Sequence, residues 1–158
     1  NVKIVNNYFG NKCCGYAAPD VGYGDQQSCV GQGWVFAYNS FHSNGDAGLG
    51  NYCTSESGTI YVGNIGYNQG GCPVGGTTTN NVWIAPNHGT CTGNTWLSGN
   101  IDDPSPYKLA SDGEHLTSSS PLINAGETTL CQQYTNGLDI DGKPRTGTCD
   151  AGPDEYGN

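Results

Sequence analysis

Val2-x-Ile4-x-Asn6-x-Tyr8, Val35-x-Ala37-x-Asn39-x-Phe41, Ile60-x-Val62-x-Asn64-x-Gly66 and Val82-x-Ile84-x-Pro86-x-His88 are four versions of one pattern. Apolar residues alternate with other residues, then an Asn or turn residue follows, then usually an aromatic. A period of two is that of a strand, because successive side chains leave opposite faces. Each strand is about five residues long and runs into turn chemistry such as Ser43-Asn44-Gly45 or Gln69-Gly70-Gly71. The segments start 33, 25 and 22 residues apart, a spacing that predicts a solenoid with one short strand per repeat. One coil cannot bury its apolar side alone, so the coils must stack. Stacking would place Val2, Val35, Ile60 and Val82 in an internal ladder and Asn6, Asn39 and Asn64 at a corner, where Asn tolerates left-handed backbone angles. The alternate positions, Phe36, Tyr61 and Trp83, would then form an outward aromatic ladder.

The rest of the composition agrees with short strands and long turns. Among 158 residues, 26 are Gly and only 12% are charged, so strong helix formers are scarce. Five Lys plus Arg against fourteen Asp plus Glu give a net charge of −9. Such a balance argues against nucleic acid and anionic membranes as partners. No apolar run approaches the roughly 18 residues that span a bilayer.

Eight cysteines, Cys13, Cys14, Cys29, Cys53, Cys72, Cys91, Cys131 and Cys149, show no CxxC pair, haem site or zinc spacing. An even set without metal spacing predicts four disulfides in an oxidising, extracellular or cell-surface setting. Connectivity is open, although Cys131 and Cys149 bracket one loop and a bridge between them would close it. The chain starts at Asn1 without a signal-peptide pattern, which predicts a processed or excised piece of a longer protein. The lack of an N-x-Ser/Thr sequon points to a bacterial source.

The C-terminal third carries several motifs in order. They are Ile101-Asp102-Asp103-Pro104 with Tyr107-Lys108-Leu109, then Glu114-His115-Leu116, and Ser120-Pro121-Leu122-Ile123-Asn124-Ala125-Gly126. Asp139-Ile140-Asp141-Gly142-Lys143-Pro144-Arg145 and Cys149-Asp150-Ala151-Gly152-Pro153-Asp154-Glu155-Tyr156 complete the series. With these motifs the tail resembles the closing segment of large secreted bacterial β-helix proteins of the choice-of-anchor type. The repeats resemble the right-handed parallel β-helix of the pectate-lyase-like superfamily. The resemblance implies an all-β solenoid of about four coils over residues 1–100, with long Cys-bearing loops. An irregular, disulfide-stapled tail over residues 101–158 would pack on the last coil.

Several motifs invite a chemical reading. Asp139-x-Asp141-Gly142 has the look of a calcium loop but lacks a third acidic ligand and a closing Glu. The structural reading pairs Asp139 or Asp141 with Arg145 and pins the tail, and no other cofactor is implied. Asp102-Asp103, with Asp25 or Asp46, raises a two-carboxylate glycosidase, but the pair sits before Pro104 where capping is the commoner use. Lyase chemistry needs a cationic base. The candidates are Lys3, Lys12, Lys108, Lys143 and Arg145, on a surface that repels polyuronate. His42, His88 and His115 stand apart, and no Ser-His-Asp context is present. An outward Phe36, Tyr61 and Trp83 ladder would stack on sugar rings or lie under a loop or subunit.

The first strand starts at residue 2, so its coil would expose unpaired backbone unless something covers it. Either missing N-terminal coils of a longer parent or the end of another copy would serve. These features predict an extracellular structural module that self-associates end to end, rather than a catalyst. The alternatives are part of a carbohydrate-active enzyme (a polysaccharide lyase or glycoside hydrolase) and a glycan-binding module whose partner is a polysaccharide.

Overall fold

Strands of two or three residues, joined in pairs by two-residue corners, make up most of what is described in the first two thirds of the chain. The computed structural model describes residues 2–9, 20–21, 33–41, 50–51, 58–67, 77–84, 93–98 and 105–157. Its strands are β1 (Lys3–Val5), β2 (Tyr8–Phe9), β3 (Asp20–Val21), β4 (Val35–Ala37), β5 (Ser40–Phe41) and β6 (Gly50–Asn51). They continue with β7 (Ile60–Val62), β8 (Ile65–Tyr67), β9 (Thr77–Thr79), β10 (Val82–Ile84) and β11 (Thr95–Leu97). One α-helix, α1 (Thr128–Thr135), and a single 3-10 turn at Ser105–Tyr107 are the helical parts among the described residues. Val, Ile, Thr and aromatic residues dominate the strands, as β-branched and ring side chains suit a pleated surface.

Three sheets result, in the orders β1-β4-β7-β9, β11-β10-β8-β5-β2 and β3-β6. Every strand pairing in them is parallel. The fold is therefore all-β with parallel strands. Each strand of the first sheet is followed, after two residues, by a strand of the second: β1 by β2, β4 by β5, β7 by β8 and β9 by β10.

The register corrects the sequence reading in two places. Lys3, not Val2, lies opposite Val35 and then Ile60 and Thr77. Val82 belongs to the second sheet, opposite Ile65 and Thr95. The strand that continues the first sheet is the all-threonine β9, which an apolar template passes over.

Both faces of β4 and β7 are covered. Phe36 and Tyr61 are fully buried rather than outward, and they pack with Phe41, Ile4, Phe9 and Trp34 in a cluster that joins the first two sheets. The rings of Phe36 and Tyr61 stack at 5.1 Å and those of Phe9 and Phe41 at 5.2 Å. Burying rings of this size supplies about 1.5–3 kcal/mol each. Trp83 does not continue the column, because it lies opposite Gly66 and Trp96 in the second sheet. Thr78 is the residue opposite Tyr61. The Trp83 side chain lies outside the described residues.

The alternate positions meet the C-terminal segment. Val35, Ala37, Tyr38 and Val62 pack against Cys131 and Cys149, which form a disulfide. Ile65, Val82 and Ile84 pack against Tyr107, Leu116, Leu122 and Ala151. The tail thus lies across the faces of both sheets. Cys13, Cys14, Cys29, Cys53, Cys72 and Cys91 lie outside the described residues.

Candidate functional site

Each two-residue corner consists of a left-handed residue and an asparagine. Asn6, Tyr38, Gly63, Asn80 and Gly93 have φ between 53° and 82°. Asn7, Asn39, Asn64, Asn81 and Asn94 follow them. The left-handed residue turns the chain from one sheet to the other, a conformation that Gly and Asn adopt at least cost. The following Asn is then aimed along the stack.

These asparagines form a directional ladder. The Asn7 backbone N–H and side-chain Nδ2 donate to Asn39 Oδ1 at 3.0 and 3.2 Å. Asn39 donates in the same way to Asn64 Oδ1, both at 3.0 Å. Asn64 donates to Asn81 Oδ1, both at 2.9 Å, and Asn81 to Asn94 Oδ1 at 3.1 and 2.7 Å. The interior amides also donate to the middle carbonyl of the preceding first-sheet strand. Asn39 reaches Ile4 O, Asn64 reaches Phe36 O and Asn81 reaches Tyr61 O, at 2.8 to 3.0 Å. Asn39, Asn64 and Asn81 are buried, so these bonds satisfy groups that would otherwise be costly to desolvate. The sequence reading placed Asn39 and Asn64 on this ladder, but took Asn6 where Asn7 stands.

Three residues of the left-handed column, Asn6, Tyr38 and Gly63, hold the tail. Asn6 donates to Leu138 O and accepts from Arg145 Nη2. The Tyr38 hydroxyl donates to Glu127 O at 2.7 Å and accepts from Glu127 N–H at 3.1 Å. Gly63 O accepts from Gly152 N–H at 2.7 Å. Tyr107 adds a contact further along, with its hydroxyl accepting from Gly66 N–H and lying 2.8 Å from Val82 O.

Arg145 is the hub of the tail. Its buried guanidinium pairs with Glu155 Oε2 at 3.4 Å, and not with Asp139 or Asp141 as the sequence suggested. It also donates to the carbonyls of Leu138, Asp150, Gly152, Pro153 and Asp154. Burial lowers the Arg145 pKa, with Glu155 opposing, and burial raises those of Asp150 and Glu155. Asp139 turns its Oδ1 to the backbone N–H groups of Asp141 and Lys143. Its Oδ2 is buried with no hydrogen-bond partner among the described residues. Asp141 pairs with Lys143 at 3.2 Å and with His115 at 3.3 Å. The two carboxylates of the calcium reading are thus directed to different partners, Asp139 to backbone donors and Asp141 to the side chains of Lys143 and His115. Among the described residues, no group of three or more His, Cys, Asp or Glu is placed to hold a metal.

Asp25, His42, Asp46, His88, Asp102 and Asp103 lie outside the described residues. No helix among the described residues is long and apolar enough to cross a membrane.

The ladder ends at an edge. Among the described residues no strand lies beyond β1 in the first sheet or beyond β2 in the second. Val35 N–H donates to Val2 O and Asn6 N–H to Ala37 O, so the peptide groups of Lys3 and Val5 face away from β4. Exposed Val2 and Lys3 belong to this edge. Exposed Leu138 lies close by, since its carbonyl accepts from Asn6. At this end Asn7 is exposed, and its Nδ2 turns back to its own strand at Val5 O, 2.8 Å away.

Sequence reasoning missed the fourth and fifth corners, at Asn80-Asn81 and Gly93-Asn94, although a signal for them existed. Thr77-Thr-Thr-Asn-Asn-Val-Trp-Ile84 and Thr90-Cys-Thr-Gly-Asn-Thr-Trp-Leu97 repeat each other around a left-handed residue and an Asn. No family model, curated protein or solved structure matches this chain.

Proposed function

We propose that this chain is a structural module of an extracellular or cell-surface protein, built as a right-handed parallel β-helix and joining end to end with a second copy. The asparagine ladder carries the reading. Five corners stacked by identical hydrogen bonds suit a solenoid scaffold, and the motifs of the tail resemble the closing segment of secreted β-helix proteins. The buried Cys131–Cys149 disulfide suits an oxidising compartment. The edge at β1 and β2 offers backbone groups of the same kind that join the strand pairs within the chain.

Light scattering on the oxidised chain, over a range of concentration and salt, tests the association. Masses should rise above 16.5 kDa with concentration. They should also rise with salt, because copies carrying a net charge of −9 repel one another. Lys3→Pro removes one outward N–H while keeping the bonds to β4, so it should suppress association without unfolding the chain. A 16.5 kDa particle under every condition would remove the self-association from this reading.

A further inference from the structure

Two turns of the tail meet at one histidine. The first runs over residues 109–116, closed by the Leu109–Leu116 bridge and by Ala110 N–H donating to His115 O at 2.7 Å. The second runs over residues 138–144, closed by the Leu138–Pro144 bridge and by Asp139 N–H donating to Lys143 O at 2.9 Å. Each is closed by its own backbone. The His115 ring lies between them, with Nδ1 2.8 Å from Asp112 Oδ2 on its own turn and Nε2 3.3 Å from Asp141 Oδ2 on the second.

An imidazole with a carboxylate at each nitrogen is fully satisfied in one protonation state. The imidazolium has two N–H donors, one for each acid. The neutral ring has one, and its other nitrogen then turns a lone pair towards an anion. The two carboxylates do not compete equally for that remaining proton. Asp112 is nearer, and its Oδ1 is fixed by the N–H groups of Glu114 and His115 at 2.9 and 3.0 Å. Asp141 is also held by Lys143 at 3.2 Å, so it stays paired without the histidine. The remaining titratable groups around the ring are acids. Glu114 precedes it in the chain, Asp154 accepts from Leu116 N–H at 2.7 Å, and the Tyr8 hydroxyl of β2 lies beside Gly113. The Asp112 bond, with Asp154 and Asp141 adding to it, raises the His115 pKa against partial burial.

We infer that His115 is a pH-operated clasp between the two turns: as imidazolium it bonds Asp112 and Asp141 together, and as neutral imidazole it keeps Asp112 through Nδ1–H and releases Asp141 to Lys143. The proton leaves from Nε2 to water, because the ring and both carboxylates are partly exposed. The clasp is fully closed below the unfolded histidine value of about 6.5 and opens as pH rises through the higher folded value. Acid opens it again only where the carboxyls protonate. Both are held low, Asp112 at about 2 by the N–H groups of its turn and Asp141 chiefly by Lys143. Opening frees the tip of the second turn and not its base, since Asp139 Oδ1 keeps the Asp141 and Lys143 N–H groups and Ile140 N–H keeps Pro153 O.

Nitrogen NMR of the full oxidised, isotope-labelled chain between about pH 5 and 9 tests the clasp. Through-bond correlations assign the His115 ring without any substitution. The neutral ring should carry its proton on Nδ1, and the amide signals of Asp141 and Gly142 should move with the midpoint of the ring. Exchange at these two amides, relative to intrinsic rates, should rise about two- to fivefold above that midpoint, the scale of one exposed ion pair. Asp141→Asn should abolish this rise, because a carboxamide can accept from the charged ring and donate to the neutral one. A neutral ring protonated on Nε2 would overturn the clasp. So would Asp141 and Gly142 amides that ignore the His115 midpoint, or a rise in exchange that persists in Asp141→Asn.

Discussion

The Arg145 guanidinium carbon lies 4.9 Å from the ring centre of Tyr38, so the hub of the tail sits directly on a left-handed corner. Tyr38 is fully buried, has φ of 55° and hydrogen-bonds both peptide groups of Glu127. A bulky residue at positive φ is strained and persists only where its surroundings over-determine it. Here ring stacking, two hydroxyl hydrogen bonds and the cluster around Val35, Ala37 and Val62 supply that constraint. Burial also pushes the Tyr38 hydroxyl up to about 12, despite the opposing Arg145 charge.

Removing the guanidinium should release the tail. Arg145→Ala leaves Glu155 buried without its cation and takes a donor from five backbone carbonyls, of which Leu138 O keeps Asn6 Nδ2 and Pro153 O keeps Ile140 N–H. The expected loss is about 3–5 kcal/mol in guanidinium chloride unfolding. Arg145→Lys should recover only part of it, because an ammonium cannot reproduce the planar fork. A loss within about 0.5 kcal/mol, the usual surface value, would mean that the tail is held by its apolar contacts alone.

Two glycines of similar backbone angle should differ sharply. A Cβ on Gly63 would overlap the Tyr38 ring, whereas a Cβ on Gly142 meets nothing within 4 Å. Both have positive φ, 63° and 76°. Gly142→Ala should therefore cost only the left-handed penalty of about 1–2 kcal/mol. Gly63→Ala should cost that penalty plus displacement of a packed ring, and its melting temperature should fall further. Equal melting temperatures would contradict the packing described at this corner.

The ladder should weaken from the middle outward. Asn64→Ala strips the bonds that the Asn39 backbone N–H and side-chain amide make to Asn64, the bond to Phe36 O and one of the two on the Asn81 oxygen, all at a buried site. About 1–3 kcal/mol is expected for each buried group left unpaired. Asn7→Ala, at the exposed end, should cost about 1 kcal/mol in the isolated chain. Chemical denaturation of the two variants, compared side by side, gives the order directly.

The turn at Asp112 should hold best in mild acid. Asp112 accepts from the N–H groups of Glu114 and His115 and pairs with the His115 ring at 2.8 Å. These bonds hold its carboxyl down at about 2, and chiefly the Asp112 bond raises His115. Asp141 and Asp154 add to the His115 shift. A depressed acid stabilises above its unfolded value of about 3.9 and loses that support as pH falls towards about 2. A raised histidine stabilises fully below its unfolded value of about 6.5 and loses support as pH rises through its folded value. Amide exchange at Glu114 and His115 should therefore be slowest, relative to intrinsic rates, between about pH 4 and 6.5. Protection that stays flat across both limits would show that these charges do not hold the turn.

Strand chemistry was legible where apolar alternation was strong, as at Val35-x-Ala37 and Ile60-x-Val62. The register was not, because Asn6 and Asn7 stand side by side and either fits the Asn slot. Phe36 and Tyr61 read as outward because the alternation implies a single covered face, whereas both faces of β4 and β7 are covered, one by the second sheet and the other by the C-terminal segment. The threonine strand β9 gave no hydrophobic signal, although a run of β-branched residues is itself a strand signal. In the tail, the apolar motifs mark residues that pack on the sheets, among them Tyr107, Leu116, Leu122 and Ala151. Helix α1 was unread, though Asn136-Gly137 is a C-terminal stop, with Asn136 left-handed at the cap. The Arg145 partner was misread for a reason of distance: Asp139 and Asp141 are near in sequence, but Glu155 returns to the guanidinium from the far side of the loop.

The four ladder steps are closed by 32, 25, 17 and 13 residues of chain, yet each makes the same pair of hydrogen bonds. The length of the intervening segment is thus nearly invisible to the stack. Doubling such a segment costs only about 0.6 kcal/mol of closure entropy, less than most core substitutions. Insertions and deletions between corners are therefore the cheapest changes open to a lineage that uses this architecture. Its descendants would drift apart in length before they drifted apart in shape. Their shared landmarks would be pairs of adjacent residues, one left-handed and one asparagine, and not any uninterrupted stretch of sequence.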